Sequence, residues 1–160
     1  RRFILKAVTA FEVKSFLKLA HPKRSKNCDY FSYFEGNPRS VINRIYGIFR
    51  IRHAFYASKT YLLLMENVKG YFDSDLPLQM YDLKGSSYGR RTIRKSFDVE
   101  SDSAILFGNV LKDNDFRRFE GRMVFPEREH KRCFDQVYQD LVFLQSSELT
   151  DYSLLLAISS

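Results

Sequence analysis

The sequence predicts an α+β domain with a mainly antiparallel sheet and flanking helices. Three observations predict it. Segments of strand character cluster early, at residues 2–8, 45–52, 60–68 and 78–83. A long amphipathic helical pattern comes late, from residue 126 onward. Finally, 160 residues with 44% apolar and 16% aromatic content suit one domain able to bury a core. That content also excludes a disordered chain. No apolar run reaches the roughly 18 residues a membrane-spanning helix needs. Only Cys28 and Cys133 occur, so a disulfide scaffold is excluded and a reducing, intracellular setting is expected.

Residues 2–8 (RFILKAV) read as a strand, with Phe3, Leu5 and Ala7 on one face and Ile4, Lys6 and Val8 on the other. Both faces are apolar except at Lys6. The pattern predicts a strand covered on both sides, with one ammonium inside that needs an anion; the alternative is a lysine snorkelling from an edge strand. Thr9-Ala10-Phe11-Glu12 matches a capping box, and the spacing of Val13, Phe16, Leu17 and Ala20 predicts a helix to about residue 20. Glu12 can therefore fold back on its own helix terminus or point at Lys6. Residues 21–27 are a polar, basic loop, residues 30–34 are aromatic, and Gly36-Asn37-Pro38 breaks the chain. The strands at 45–52 and 60–68 form an antiparallel pair, the second of them central in its sheet because its apolar run is continuous. The strand at 78–83 ends in Lys84-Gly85-Ser86-Ser87. No acid stands between Lys84 and Lys95, and residues 96–109 are acidic and irregular. Pro126-Glu127 starts a helix whose stripe is Phe134, Val137, Tyr138, Leu141 and Leu144, ending near residues 146–147. The chain opens directly in a strand and closes inside the apolar run 154–158, which suggests a domain cut from a longer chain.

No zinc spacing, GxSxG motif or phosphate-binding Walker loop is present, and His21, His53 and His130 are scattered. The residues that stand out suit phosphate. Lys6 is a cation inside a sheet pattern. In Asp82-Leu83-Lys84-Gly85-Ser86 a cation and a flexible glycine follow a strand, where backbone N–H groups can approach an anion. Arg90 follows, and Asp151 stands between polar Thr150 and an apolar segment. Phosphoryl transfer needs cations for the migrating group and a carboxylate that orients or deprotonates the attacking hydroxyl. The bland alternative for 84–95 is a solvated basic loop.

Four segments together resemble the phosphatidylinositol phosphate kinase family: FILKAV (3–8), YDLKGSSYGRR (81–91), LKDNDF (111–116) and LTDYSLLLAI (149–158). They occur in the family's order across nearly the whole chain. The resemblance implies a lipid-kinase, protein-kinase-like fold, with residues 1–160 as a catalytic-domain fragment: the N-terminal lobe and the start of the C-terminal lobe. It implies ATP and Mg2+ as cofactors. Lys6 would contact the α- and β-phosphates and Glu12 would be its partner. Met65, Asn67 and Val68 would form the hinge, the last two meeting the adenine edge through backbone groups, with Leu155 as an apolar floor under the base. Asp151 would orient the inositol hydroxyl, and Lys84 and Arg90 would be cations near the transferred phosphate and headgroup. Asp82 and Asp113 are expected to tie loops by hydrogen bonds.

Departures from the family pattern are as informative. The Gly-rich loop, the metal-binding Asp segment and the activation loop are absent, so this stretch is not expected to be active alone. Leu156 stands where protein kinases place an Asn. DLKGSSYGRR and residues 139–158 resemble type I enzymes, the phosphatidylinositol 4-phosphate 5-kinases. FEVKSFLKLA and the hinge MEN resemble type III enzymes acting on phosphatidylinositol 3-phosphate. The implied partner is a phosphoinositide in an anionic membrane, which clustered Lys and Arg approach with about 1 kcal/mol each. Arg90, Arg91, Arg94 and Lys95 are the local candidates, and the formal net charge is +7. The implied location is cytoplasmic, at the cytosolic face of membranes, and a homodimer follows from how family members pair. A catalytically inactive phosphoinositide-binding scaffold is the main alternative. Nucleic-acid binding, suggested by basic charge with 10 Tyr and 15 Phe, lacks any matching motif.

Overall fold

The computed structural model describes residues 2–20, 29–52, 59–72, 77–93 and 109–159. His21, Cys28, His53, Arg94, Lys95 and nearly all of the acidic stretch lie outside them. The architecture is α+β. The chain divides into two compact units, one of residues 1–70 and 127–150, the other of residues 71–126 and 151–160.

In the first unit β1 (Phe3–Val8), β2 (Ile45–Arg52) and β3 (Lys59–Glu66) form an antiparallel sheet in the order β1-β3-β2. β3 is central, as its continuous apolar run predicts. Lys6 lies opposite Leu63, and a register shift interrupts β2 between Ile45 and Gly47. The expectation of a β1 covered on both faces is corrected. β1 is an edge strand of this sheet, and every residue except half-buried Val8 is exposed. With β3 as its neighbouring strand, most of its apolar side chains meet solvent, while Lys6 and Val8 line a cleft with Phe16 and Leu63.

α1 (Ala10–Ala20) starts at the predicted capping box. The Glu12 carboxylate accepts from Thr9 N–H at 2.7 Å and from its hydroxyl at 2.8 Å, while Thr9 Oγ1 accepts from Glu12 N–H at 3.2 Å. α2 (Tyr30–Gly36) was not predicted as a helix. Its aromatic composition hides the signal, which is Asp29 as N-cap, accepting from Phe31 N–H and Ser32 N–H at 2.9 Å each.

α4 (Glu127–Ser146) has the predicted bounds but buries a different face. Phe134, Tyr138, Leu141 and Val142 are exposed, whereas Asp140 and Phe143 are buried. The carboxylate decides the rotation. Asp140 accepts from Tyr33 hydroxyl at 2.6 Å, Val41 N–H at 2.7 Å and Gln136 Nε2 at 2.9 Å. Phe143 stacks on Tyr33 with centroids 3.9 Å apart. A buried carboxylate with three donors and a stacked ring turns this face inward; of the predicted stripe, Phe134, Tyr138 and Leu141 turn out while Val137 and Leu144 stay half-buried.

The second unit holds β4 (Leu78–Leu83), β5 (Val110–Lys112) and β6 (Leu154–Ser159) in the order β5-β4-β6. β4 pairs antiparallel with β6 and parallel with β5. β5 leads directly into α3 (Asp113–Phe119). Tyr81 and Leu111 are fully buried with Ile93, and Leu83, Phe116 and Leu156 pack around them. The buried Tyr81 hydroxyl donates to Glu120 at 2.7 Å, and burial together with that carboxylate holds its pKa well above the usual phenol value. Among the described residues no helix is long and apolar enough to cross a membrane.

Removing the Asp140 carboxylate leaves buried donors without an acceptor, a loss of about 1–3 kcal/mol for such a group. Asp140→Ala is expected to destabilise by about 3 kcal/mol and Tyr33→Phe by about 1 kcal/mol. Urea unfolding midpoints check both values, and equal midpoints for Asp140→Ala and wild type would refute the assignment.

Candidate active site

The second unit brings three of the predicted residues together. Lys84, one residue beyond β4, donates from Nζ to Asp151 Oδ1. β6 begins three residues after Asp151, and its Leu154 pairs with Leu83 of β4. Both members of the pair are thus referenced to β4. Asp151 is accessible, its side chain 82% exposed against 29% for Lys84. Its backbone is left-handed (φ 60°), a conformation in which Asp is among the few tolerated non-glycine residues. The hydrogen bond and charge of Lys84 hold the Asp151 carboxyl below its ordinary value, with a smaller contribution from Arg90.

Arg90 is less free than expected. Its Nε donates to Asp113 Oδ2 at 2.8 Å, one Nη meets Asp82 Oδ2 at 3.3 Å, and the same Nη donates to Asp82 C=O. Asp113 Oδ1 also accepts Lys84 N–H at 3.0 Å and Gly85 N–H at 2.8 Å. Burial pushes the Asp113 carboxyl up, but the Arg90 guanidinium and the Lys84 and Gly85 amides outweigh it and the net shift is downward. These carboxylates raise Arg90 further, the bond to Asp113 contributing most. Two carboxylates meet the Arg90 guanidinium, so in this arrangement it braces the loop. The loop-tying expectation for Asp82 and Asp113 matches these contacts.

Other residues of this scaffold were not singled out from sequence. Asp115, 1% exposed, accepts from Thr92 N–H at 2.7 Å, Lys112 N–H at 3.1 Å and Ile93 N–H at 3.2 Å. Asn114 donates from Nδ2 to Ser87 C=O at 2.7 Å, and its N–H donates to Arg90 C=O at 2.9 Å. The available signal was Asp-Asn-Asp at a strand-to-helix junction, where short polar side chains satisfy free N–H groups. Tyr88, at the tip of the loop, is almost fully exposed.

The first unit carries the predicted nucleotide residues except Leu155, which belongs to the second. Lys6 is exposed and lines a cleft of about 410 Å³ with Val8, Glu12, Phe16 and Leu63. Glu12 shares that cleft but forms no ion pair with Lys6. Its carboxylate is committed to Thr9, which lowers its pKa ahead of a small contribution from Lys6. The capping-box alternative is the one observed. Met65 lies on β3 opposite Ile4. Asn67 N–H donates to Arg2 C=O at 2.9 Å, because the β1–β3 ladder runs one residue further than the strands. Of the backbone groups of about Asn67 and Val68 that the resemblance assigns to the adenine edge, the Asn67 N–H is taken up by this ladder bond. Val68, which opens a 3-10 turn ending at Tyr71, makes no backbone N–H hydrogen bond among the described residues. Leu155 lies on β6 opposite Asp82, partly exposed. Among the described residues no group of three or more His, Cys, Asp or Glu could hold a metal ion.

The family model described as Phosphatidylinositol-4-phosphate 5-Kinase matches residues 1–160. A probable phosphatidylinositol phosphate kinase of Dictyostelium discoideum is 29% identical over 98% of the chain and 20% of its own length. A phosphatidylinositol 4-phosphate 5-kinase type-1 beta of Gallus gallus is 30% identical over 98% of the chain and 26% of its own length. A phosphatidylinositol 5-phosphate 4-kinase type-2 gamma of Rattus norvegicus is 28% identical over 99% and 34%. The chain thus spans about a fifth to a third of the length of these relatives. Type I-like features find support among them; the type III-like features do not. A match along the entire sequence, with a lysine–aspartate pair at the family's two motifs, leads to one conclusion: the chain belongs to the phosphatidylinositol-4-phosphate 5-kinase family.

Proposed function

We propose that the protein containing this chain transfers the γ-phosphate of ATP to a phosphoinositide headgroup, with phosphatidylinositol 4-phosphate as acceptor at its 5-hydroxyl. The product is phosphatidylinositol 4,5-bisphosphate. The observation that carries this reading is the accessible Lys84–Asp151 pair on a braced loop. In a loose phosphoryl-transfer transition state, positioning and charge neutralisation supply most of the catalysis. Asp151, held ionised by Lys84, accepts a hydrogen bond from the attacking hydroxyl and aims its oxygen. Its lowered pKa makes it a weak base, which suits orientation better than early proton removal. Lys84, a compact cation on a flexible stem, swings to the transferring or headgroup phosphate as it arrives. Lys6 is assigned to the ATP phosphates, supported by its exposed ammonium in a cleft of nucleotide scale. Mg2+ would neutralise phosphate charge, and its ligands are not assigned to these residues. An anionic membrane at the cytosolic face is the proposed setting, in keeping with the net charge of +7.

The test uses full-length protein, radiolabelled ATP and phosphatidylcholine vesicles containing phosphatidylinositol 4-phosphate. Asp151→Asn keeps a residue that tolerates the left-handed backbone, so folding and vesicle binding are expected to persist while kcat falls by roughly 10²–10⁴. Lys6→Ala is expected to raise KM for ATP or to lower turnover; an unchanged rate refutes its role. Lipid binding without any transfer by the wild type would instead establish an inactive scaffold.

A pH expectation follows from the depressed Asp151 pKa. The ionised form survives as pH falls until the folded pKa is reached, so the acid limb due to Asp151 lies below the ordinary carboxylate value of about 3.9. Lys84→Ala moves that limb upward toward the ordinary value, measured as kcat/KM, which reports the free enzyme, against pH in the residual activity.

A further inference from the structure

We propose that Asp113 is the positioning residue of the lysine–aspartate pair: its buried carboxylate fixes the backbone from which Lys84 reaches Asp151. The proposal rests on the reading of that pair as the reacting centre. Lysine has a long flexible stem, so the ammonium can be held at a defined place only if the backbone beneath it is fixed. Asp113 does this with one oxygen. Oδ1 accepts two consecutive amides, Lys84 N–H at 3.0 Å and Gly85 N–H at 2.8 Å. Such convergence makes a small anion nest, and the left-handed backbone of Gly85 (φ 71°) bends the chain into it.

The other oxygen closes the loop from its far side. Oδ2 accepts Arg90 Nε at 2.8 Å, and Arg90 returns to Asp82, two residues before Lys84. Residues 82–90 are therefore gathered on one side chain. That side chain is itself well referenced. Asp113 is 6% exposed and follows β5, whose Lys112 pairs with Asp82 of β4. Asp151 is referenced to the same strand through Leu83 and Leu154. The Asp113 carboxylate meets the Lys84 backbone amide while the ammonium meets Asp151, so it acts through Lys84.

Trace acetylation of lysine amines in the full-length protein, read by mass spectrometry, follows the pair without requiring activity. Asp113→Ala is expected to raise Lys84 labelling several-fold, as Asp151→Asn does. It should lower kcat while leaving KM for ATP near wild type. Asp113→Asn keeps one acceptor for the two amides and loses the charged bond to Arg90, so an intermediate increase is expected; it also serves if the alanine variant does not fold. Asp115→Ala removes the neighbouring buried carboxylate and is expected to lower the melting temperature with Lys84 labelling unchanged. Unchanged Lys84 labelling in both Asp113 variants would overturn the proposal, as would Asp115→Ala raising it equally. Wild-type protein that transfers no phosphate but shows the labelling pattern would refute the kinase reading and leave the positioning role standing.

Discussion

A carboxylate taken out of water must be met by donors, and much of the second unit is arranged to meet two of them. Asp113 and Asp115 stand two residues apart in the first turn of α3, both buried. One oxygen of Asp113 meets the Arg90 guanidinium. Backbone amides surround them, drawn from the loop after β4, from the segment before residue 94 and from the end of β5. Because amides are fixed to the chain, satisfying these anions dictates the path of the chain. The glycine-rich, serine-rich loop therefore has a defined shape although its composition suggests a solvated coil.

The first unit uses the same device at another place. Asp140 gathers a tyrosine hydroxyl, a glutamine amide and a backbone N–H on the inner face of α4. In both units a buried anion has a hydrogen-bonding role that apolar packing cannot perform, because hydrogen bonds have direction and burial of apolar area does not. The cost is strict: such a group stabilises only while its donors stay in place.

Against this buried scaffold the lysine–aspartate pair differs in kind. Asp151 is open to solvent, and its ion pair is one that water and salt weaken. It contributes little to folding. A pair that is weak, exposed and mounted on a stiff support can be opened by an incoming phosphate without disturbing the fold. Arg90, with the same charge but contacts to buried Asp113 and half-buried Asp82, has the opposite character. Two cations six residues apart in one basic loop thus take different parts because of what their heads touch.

The periodic segments were legible from sequence alone. Strand alternation, the Thr9–Glu12 box and the helical spacing after Pro126 are local signals, so the bounds of β1, β2, β3, β4, α1 and α4 agree with them to within a residue or two. The motifs around Lys84 and Asp151 were legible as well, since residue type and order carry them. Only the tertiary structure decided which face of α4 turns inward, that Glu12 answers Thr9 and not Lys6, and that Arg90 is braced while Lys84 meets Asp151. Each of those outcomes depends on which donor reaches which carboxylate, and for Asp140, Lys84 and Arg90 the partner lies tens of residues away. Such pairings have no period in the sequence, because the desolvation of a charge is set by neighbours in space and not by neighbours along the chain.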